Sequence, residues 1–247
     1  MAETVSDFAS DSVSVSDSVS DTPALAPSQP PTRAGRGEIL SETSTMPGSS
    51  FSLPARRTCP GAFFGPNTVC SACYADNRHR YRWRAVQDAQ ARRFSWTLEA
   101  LSSGRFVSVV ADRIASRAEP HFRLHDAGDF FSPPYVEAWR EIARTLPAVS
   151  FWAPTRSWAS GGQCRQDHDP LLVSLRRLAS LPNVTVRPSA LSFDDPPPRI
   201  SGLASGTTVT TDRTRATCPK TLTVPSACGD CRRCWEEPLV PVTYLRH

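Results

Sequence analysis

The sequence predicts an α/β fold, specifically a full or partial (β/α) barrel, and three observations support this prediction. Short apolar segments alternate with amphipathic helical segments across residues 79–210. At least four such strand–helix units follow one another, which is typical of parallel sheets whose strands are joined by helices. Polar clusters come directly after the strands, where proteins of this architecture carry their chemistry.

The predicted helices are identified by apolar residues that recur at steps of three or four positions. They cover residues 79–103, 106–118, 133–145 and 171–178. Ser132 is a suitable N-cap for the third helix, and Pro133 suits its first position. Asp167 or Asp169 opens the fourth helix. The predicted strands cover residues 122–125, 149–153, 184–187 and 207–210.

Composition divides the 247 residues into a tail and a body. Residues 1–48 are rich in Ser, Asp and Pro, and Phe8 is their one aromatic residue. So little apolar surface cannot offset the cost of ordering the backbone, roughly 1–2 kcal/mol per residue, and we predict a disordered tail. The body covers residues 49–238 and includes a Cys-rich segment at 216–236, and residues 239–247 form a predicted C-terminal tail.

Charge is distributed unevenly between these parts. The tail contains seven acidic residues and two arginines, which gives about −5, so the total of +4 leaves about +9 for the rest. A basic body favours anionic partners such as nucleic acid, although scattered charges on a solvated surface would look the same. The chain has no long apolar run and no secretory signal, so we expect a cytoplasmic protein that makes no membrane contact. The sequence does not indicate an oligomeric state.

Seven of the eight cysteines fall into two groups, and metal ligation is expected for both because a cytosolic chain keeps its thiols reduced. The first cysteine group is Cys59, Cys70 and Cys73. The second cysteine group is Cys218, Cys228, Cys231 and Cys234. Cys164 lies outside both groups.

The two groups predict different centres. Three thiolates on a four-iron cluster leave one iron free to bind another molecule, which would make the first group an open centre. Half of a zinc site, completed by His79 or a C-terminal cysteine, is the alternative there. Four thiols fit a closed centre, so the second group predicts either structural zinc or an auxiliary cluster.

Polar residues at the strand ends are the candidate catalytic residues. We expect them to converge at one mouth of the barrel, because chemistry in this architecture lies beyond the carboxyl ends of the strands. The candidates are Asp126, Asp129, Arg156 and Arg187. Turn and capping roles are the alternative for the two aspartates. His125 together with these aspartates could also hold a divalent ion for hydrolysis.

Several motifs, in order along the chain, resemble the phage gene-product-88 domain family. They are Ser52-Leu53-Pro54-Ala55, Thr58-Cys59-Pro60-Gly61-Ala62, Cys73-Tyr74-Ala75, His125-Asp126-Ala127-Gly128-Asp129-Phe130-Phe131-Ser132, Thr155-Arg156-Ser157-Trp158 and the Cys-rich end. The resemblance covers about residues 50–238. It implies little about mechanism, because the family is poorly characterised.

The order of elements is also similar, more distantly, to the radical S-adenosylmethionine (SAM) enzymes, which are barrels. In those enzymes three cysteines follow the first strand with an aromatic residue beside the last one, and the second strand ends in a glycine-rich acidic motif. Here Tyr74 and Gly128-Asp129 occupy the corresponding places. The resemblance implies a [4Fe-4S] cluster on the first cysteine group, and SAM near Tyr74, His125, Gly128 and Asp129. This chain departs from the pattern in its ten-residue first gap and in Asp129, where the superfamily has Glu.

Two functional hypotheses follow. The first is an iron–sulfur, radical-SAM-like enzyme that uses an electron donor and receives an anionic substrate, a nucleotide or nucleic acid, at Arg156 and Arg187. The second is a non-enzymatic, zinc-containing nucleic-acid-binding protein of phage or mobile-element origin. Under this second hypothesis, the arginines and aromatic residues of 78–84 would form the stretch that contacts phosphate.

Overall fold

A five-stranded sheet forms the centre of the fold. The computed structural model describes residues 39–43, 45–76, 79–224 and 226–246, without the His79 side chain. Its strands in chain order are β1 (Ser41–Glu42), β2 (Ser49–Phe51), β3 (His121–Leu124), β4 (Ser150–Thr155), the small hairpin β5 (Ala159–Ser160) and β6 (Gln163–Cys164), and β7 (Val184–Pro188). The sheet order is β1-β2-β3-β4-β7, with β1 antiparallel and the other four strands parallel.

The four helices that the sequence predicted are present, and they pack against one face of this sheet. They are α1 (Arg84–Ser102), α2 (Phe106–Ala115), α3 (Pro133–Thr145) and α4 (Pro170–Ala179). The first begins later than expected, because His79–Arg82 form a separate 3-10 turn. Asp169 caps α4 by accepting hydrogen bonds from the backbone N–H groups of Leu171 and Leu172.

The strands alternate between two chemically different faces. Phe122, Phe151 and Val186 join the helices in one apolar core that includes Trp139. Since successive side chains of a strand point to opposite faces, their neighbours lie on the second face. These neighbours are Arg123, Trp152, Thr185 and Arg187, all of them on β3, β4 or β7.

The C-terminal segment, residues 207–246, covers the second face. It contains β8 (Thr207–Thr210), the short helices α5 (Pro219–Leu222) and α6 (Arg233–Glu236), and β9 (Val242–Leu245), which is parallel to β8. Trp235 of α6 attaches the segment to the sheet. Its indole nitrogen donates to the Phe122 carbonyl at 3.1 Å, its carbonyl accepts from the Thr185 hydroxyl at 2.7 Å, and its ring lies 5.1 Å from that of Trp152.

The α/β class is confirmed, but the strands of the described residues do not close into a barrel. At one edge β2 is already paired with the antiparallel β1. At the other edge β8 touches β7 through the single bridge between Ser189 and Thr207, and it pairs with β9 instead. The C-terminal segment occupies the second face, which in a closed barrel would be the interior.

Two predicted boundaries differ from the structure. Leu40 is buried and β1 pairs with β2, so ordered structure begins before residue 48. Residues 239–247 were expected to be a tail, but they contain β9 with its buried Val242. The rest of the predicted tail, residues 1–38 and Ser44, lies outside the described residues. No helix in the described ranges is both long and apolar enough to cross a membrane.

Candidate metal centres

The first cysteine group lies on a segment that crosses the carboxyl ends of the parallel strands. The segment leaves β2 and passes against the loop that follows β4, where a Cβ on Gly61 would lie 1.8 Å from the Arg156 carbonyl oxygen. Further along, the N–H of Val69 donates to the carbonyl of Leu191, in the loop after β7, at 2.9 Å. The cysteine segment is therefore held by the loops that follow two other strands, β4 and β7.

The three thiols of this group influence one another electrostatically. Burial raises the pKa of the Cys59 thiol, and the carboxylate of Asp129 and the thiols of Cys73 and Cys70 raise it further. Burial also raises the pKa of Cys73, where the nearby Arg156 guanidinium has the opposite effect. The Asp129 carboxylate and the Arg156 guanidinium therefore lie close enough to the first cysteine group to influence its thiols.

Proximity alone does not make the three thiols of the first cysteine group a set of metal ligands. Within the described ranges, no three His, Cys, Asp or Glu side chains are grouped closely enough to hold a metal ion. This holds for both cysteine groups, and also for the hydrolytic site imagined from His125, Asp126 and Asp129. The His79 side chain, the alternative fourth zinc ligand, lies outside what the structure describes.

Asp129 joins two loops of its own chain. One carboxylate oxygen accepts from the Thr155 hydroxyl at 2.6 Å and the Phe130 N–H at 2.7 Å, and the other accepts from the Arg156 N–H at 2.8 Å. Burial raises the pKa of this carboxyl, and these donors oppose that effect. The expected role as acceptor of the SAM amino group therefore competes with an existing structural role.

Gly128 is explained by packing. Its backbone has φ +80°, and a Cβ there would lie 2.6 Å from the Thr58 hydroxyl and 2.7 Å from the Leu53 Cβ. Glycine is required because the loop carrying Cys59 passes directly over this position. The predicted part of Gly128 in cofactor binding has no separate geometric support.

Asp126 is a buried ion-pair centre, and the catalytic role predicted for it is unsupported. It accepts from Arg123 at 2.7 Å, from the Tyr81 hydroxyl at 2.6 Å and from Arg80. Tyr74, expected beside a cofactor, donates its hydroxyl to the Asp126 carbonyl while its ring stays 42% exposed. Arg80 and Tyr81 belong to the stretch expected to contact phosphate, so this stretch is partly turned inward.

His125 is buried in the core rather than open to a ligand. Its Nε2 lies 3.0 Å from the Tyr135 hydroxyl, and its ring packs edge-on against Phe130 at 4.5 Å. Burial, assisted by the charge of Arg123, lowers the pKa of His125 to about 3. The imidazole is therefore neutral at physiological pH, and the aromatic cluster explains its position.

The two candidate arginines, Arg156 and Arg187, differ in how many of their N–H groups are already hydrogen-bonded. Arg187 is fully buried and donates all five of its N–H groups to backbone carbonyls at 2.6–3.2 Å, so it has none left for a substrate. These carbonyls belong to Ser205, Arg233, Cys234, Glu237 and Val240. Arg156 uses only Nε, on the Ala190 carbonyl at 2.9 Å, and its terminal nitrogens have no hydrogen-bond partner among the described residues. Arg156 remains the candidate for binding an anion.

All four thiols of the second cysteine group line one small cavity of about 20 Å³. Cys218 opens α5, and the N–H of Cys228 donates to the Thr45 carbonyl in the loop before β2 at 3.0 Å. Cys234 lies 3.7 Å from the Tyr244 hydroxyl of β9. Burial raises the pKa of the Cys234 thiol to about 11, and it also raises the pKa values of Cys218 and Cys228.

The sequence placed Arg80 and Tyr81 in the stretch expected to contact phosphate, but it did not indicate their contact with Asp126, and it assigned no role to Lys220. Arg80 and Tyr81 contact Asp126, which lies 46 and 45 positions further along the chain. Lys220, the single lysine of the chain, follows Cys218 closely, and that proximity was the one available signal.

These features define a mixed α/β protein with one three-thiol group at the strand ends and one four-thiol group under its C-terminal segment. The family model for Gene product 88 matches residues 22–237, and the chain belongs to that family. It is 34% identical over 121 residues to the Gene 88 protein of Mycobacterium phage L5, and 33% identical over 121 residues to that of phage D29. Each alignment covers 44% of this chain and 47% of the relative, so the chain spans about half the length of these curated relatives. No solved structure matches the chain.

Proposed function

We propose that this chain is an iron–sulfur protein whose cluster is held by the first cysteine group. The observation that carries the proposal is the position of Cys59, Cys70 and Cys73 on one segment, which crosses the carboxyl ends of the parallel strands and lies against the loops after β4 and β7. Three thiols are the right type and number of ligands for a [4Fe-4S] cluster with one open iron. The three thiols would move to within ligand distance of the irons when the cluster binds.

An open centre fits this location better than a closed one. The charged groups beside the thiols are Asp129 and Arg156, and neither is a thiol that could complete a set of four. A [4Fe-4S] cluster bound here would supply one-electron transfer and one iron free to bind a further molecule. The chain itself would contribute a partly buried site and the Arg156 guanidinium, whose terminal N–H groups have no hydrogen-bond partner among the described residues.

Arg156 supports an anionic substrate or cofactor at this centre. Its Nε is fixed on the Ala190 carbonyl and its backbone N–H on Asp129, so the guanidinium is held in place while its terminal N–H groups stay available. A planar guanidinium suits carboxylate and phosphate groups. We further propose that the cofactor is SAM, whose carboxylate Arg156 would bind, and that the substrate is a nucleotide or nucleic acid, with an external electron donor. We also propose a cytoplasmic location.

Iron and sulfide counts test the cluster. After anaerobic reconstitution we expect about four irons and four sulfides per chain, with broad visible absorbance. Cys59→Ser and Cys73→Ser should lose the iron, the sulfide and the visible absorbance. Cys164→Ser, which changes an exposed cysteine outside both groups, should keep them. A colourless wild-type chain that takes up no iron under these conditions would refute the proposal.

SAM cleavage is tested separately on cluster-loaded protein. We expect 5′-deoxyadenosine after chemical reduction in the presence of SAM, and a several-fold loss in Arg156→Gln with cluster content unchanged. If the loaded protein neither binds nor cleaves SAM, the iron–sulfur proposal stands while the radical-SAM part of it fails.

One observation favours the second candidate function, a nucleic-acid-binding protein with zinc. Phe63 and Phe64 are 37% and 48% exposed, and the Arg56 guanidinium stacks 4.9 Å from the Phe64 ring. Exposed aromatic rings beside arginines are the means by which proteins bind single strands. This function predicts single-stranded DNA binding that weakens with salt and falls in Phe64→Ala. Equal binding by Phe64→Ala and wild type would count against it.

A further inference from the structure

We propose that the second cysteine group binds a single zinc ion, which fastens the C-terminal segment to the sheet. This is a structural centre, independent of the open cluster proposed above. Four thiolates are a complete ligand set for structural zinc. Cys218 precedes the other three by at least ten residues, so an ion held by all four would join two separate stretches of the C-terminal segment.

The size of the cavity favours one ion. The space that the four thiols line has a volume of about 20 Å³. Roughly 10–15 Å³ is enough for one water-sized particle, so this cavity admits one such particle. One zinc ion fits the space that is already there, with small movements of the thiols to complete the ligand distances, whereas the eight atoms of a [4Fe-4S] cluster would require the four cysteines to move apart. The cavity therefore favours a mononuclear centre over an auxiliary cluster.

The charges around the cavity favour an anionic centre. Arg187 is fully buried and donates only to carbonyls, one of them the Cys234 carbonyl at 3.2 Å from its Nε. Lys220, two residues after Cys218, is partly buried. In the described part of the chain neither cation has an ion-pair partner, unlike Arg123, which is paired with Asp126 at 2.7 Å.

A zinc ion would resolve this imbalance. Buried cations are costly unless an opposite charge compensates them. Zinc with four thiolates carries a net charge of −2, which Arg187 and Lys220 together balance. Protonated thiols, or two disulfides, would leave both cations uncompensated. The binding step would release the thiol protons to solvent and change no oxidation state.

The backbone contacts of the second cysteine group show which parts of the fold a bound zinc ion would connect. The N–H of Cys228 donates to the Thr45 carbonyl in the loop before β2, and the N–H of Cys218 donates to the Thr243 carbonyl of β9 at 3.0 Å. Cys234 adjoins Trp235, which packs on the sheet. An ion bound by these cysteines would connect the β1–β2 loop, β9 and the face of the sheet under α6.

Metal analysis of the full chain tests the proposal. For protein purified under reducing conditions we expect one zinc per chain, lost in Cys231→Ser and retained in Cys164→Ser. Cobalt(II) added to the metal-free chain should give the thiolate-to-metal absorption of a tetrahedral site. Lys220→Gln should weaken zinc binding about tenfold, while Lys220→Arg, which keeps the charge, should restore it.

Several results would overturn the proposal, and they differ from those that bear on the cluster. A chain that binds no zinc, or a Cys231→Ser variant with wild-type zinc content, would refute it. If Cys231→Ser does not fold, equal zinc affinity in Lys220→Gln and wild type refutes the charge argument. Iron lost from Cys59→Ser but kept in Cys231→Ser supports two separate centres. Iron lost from Cys231→Ser would make the second group a cluster site and would overturn the zinc proposal.

Discussion

His125 combines a left-handed backbone with a ring that is almost completely buried. Its φ is +62°, and its Nδ1 has no hydrogen-bond partner within the described residues. A neutral ring is tolerated there because it packs against Phe130 and lies within hydrogen-bonding distance of Tyr135. A charged ring would lack both solvent and a carboxylate partner, which is why its pKa falls to about 3.

Acid should therefore destabilise the folded chain through His125. The unfolded chain protonates this ring below pH 6.5, but the folded chain does so only near pH 3, so stability present above pH 6.5 is lost as the pH falls towards 3. From pH 7 to pH 5 the expected loss from this residue is about 2 kcal/mol in the free energy of unfolding. Urea unfolding at both values measures it. His125→Asn, which tolerates positive φ, should show a smaller loss, and equal losses would contradict the assignment.

Gly61 allows the loop of Cys59 to lie directly against the loop after β4. Gly61→Ala would place a methyl group 1.8 Å from the Arg156 carbonyl oxygen, so the two loops must separate. We expect a loss of about 1–3 kcal/mol in unfolding free energy, together with lower iron uptake. Gly65→Ala is the matched control in the same segment, since its Cβ meets only the Thr68 methyl at 3.8 Å. Similar stability for the two variants would contradict this role for Gly61.

Local sequence spacing identified some groups of residues, but it did not reveal the contacts of others. The cysteine groups were identified because their spacing is local to two short stretches. Asp126 and Arg187 were assigned to catalysis because charged residues at strand ends usually serve it. Their actual partners, Arg80 and the carbonyls of residues 205–240, come from distant parts of the chain, and no local pattern reveals such contacts.

At the scale of elements, β7 and the C-terminal segment are joined by the Arg187 side chain. Five carbonyls converge on one guanidinium, three of them in or beside α6 and one in the turn before β9. The carbonyls at the ends of a short helix need donors, and Arg187 supplies them from the sheet. Arg187 thus fixes the C-terminal segment on the sheet together with the contacts of Trp235.

Arg187→Gln should accordingly be strongly destabilising. The shorter amide cannot reach the same five carbonyls, and buried acceptors left without donors cost free energy. We expect a loss of about 3–5 kcal/mol in unfolding free energy, read from denaturant melts. Arg84→Gln, at an arginine with an 87% exposed side chain on α1, should change stability by less than about 0.5 kcal/mol. A small effect at Arg187 would mean that the C-terminal segment is held mainly by other contacts.

The helices were predictable because their periodicity is local, whereas the arrangement of the second face was not. Apolar residues at three- and four-residue steps indicated all four long helices. The strands alternate as Val184-Thr185-Val186-Arg187, which indicates two different faces but not what covers the second one. A barrel interior and a covering C-terminal segment satisfy the same alternation, so the sequence pattern could not distinguish them.

At the scale of the whole molecule, β9 completes the C-terminal segment that covers the second face of the sheet. β9 pairs with β8 over four residues, and the Thr243 carbonyl accepts from the N–H groups of Thr217 and Cys218. Val242 is buried, and the Val240 carbonyl accepts from Arg187. Residues that the sequence predicted as a tail therefore complete the layer over the second face.

Truncation after Pro238 should destabilise the whole fold. It removes the only partner strand of β8 in the described structure, one acceptor of Arg187, and the acceptor for the N–H of Cys218. We expect a melting temperature lower by several degrees, since a loss of 1 kcal/mol shifts it by about 2–4 °C for a domain of this size. Limited proteolysis should show earlier cleavage within the C-terminal segment. Removal of His247 alone is the matched control and should leave both measurements unchanged. If the longer truncation melts and resists protease like the full chain, β9 is dispensable, and the second cysteine group together with Arg187 would be sufficient to hold the segment on the sheet.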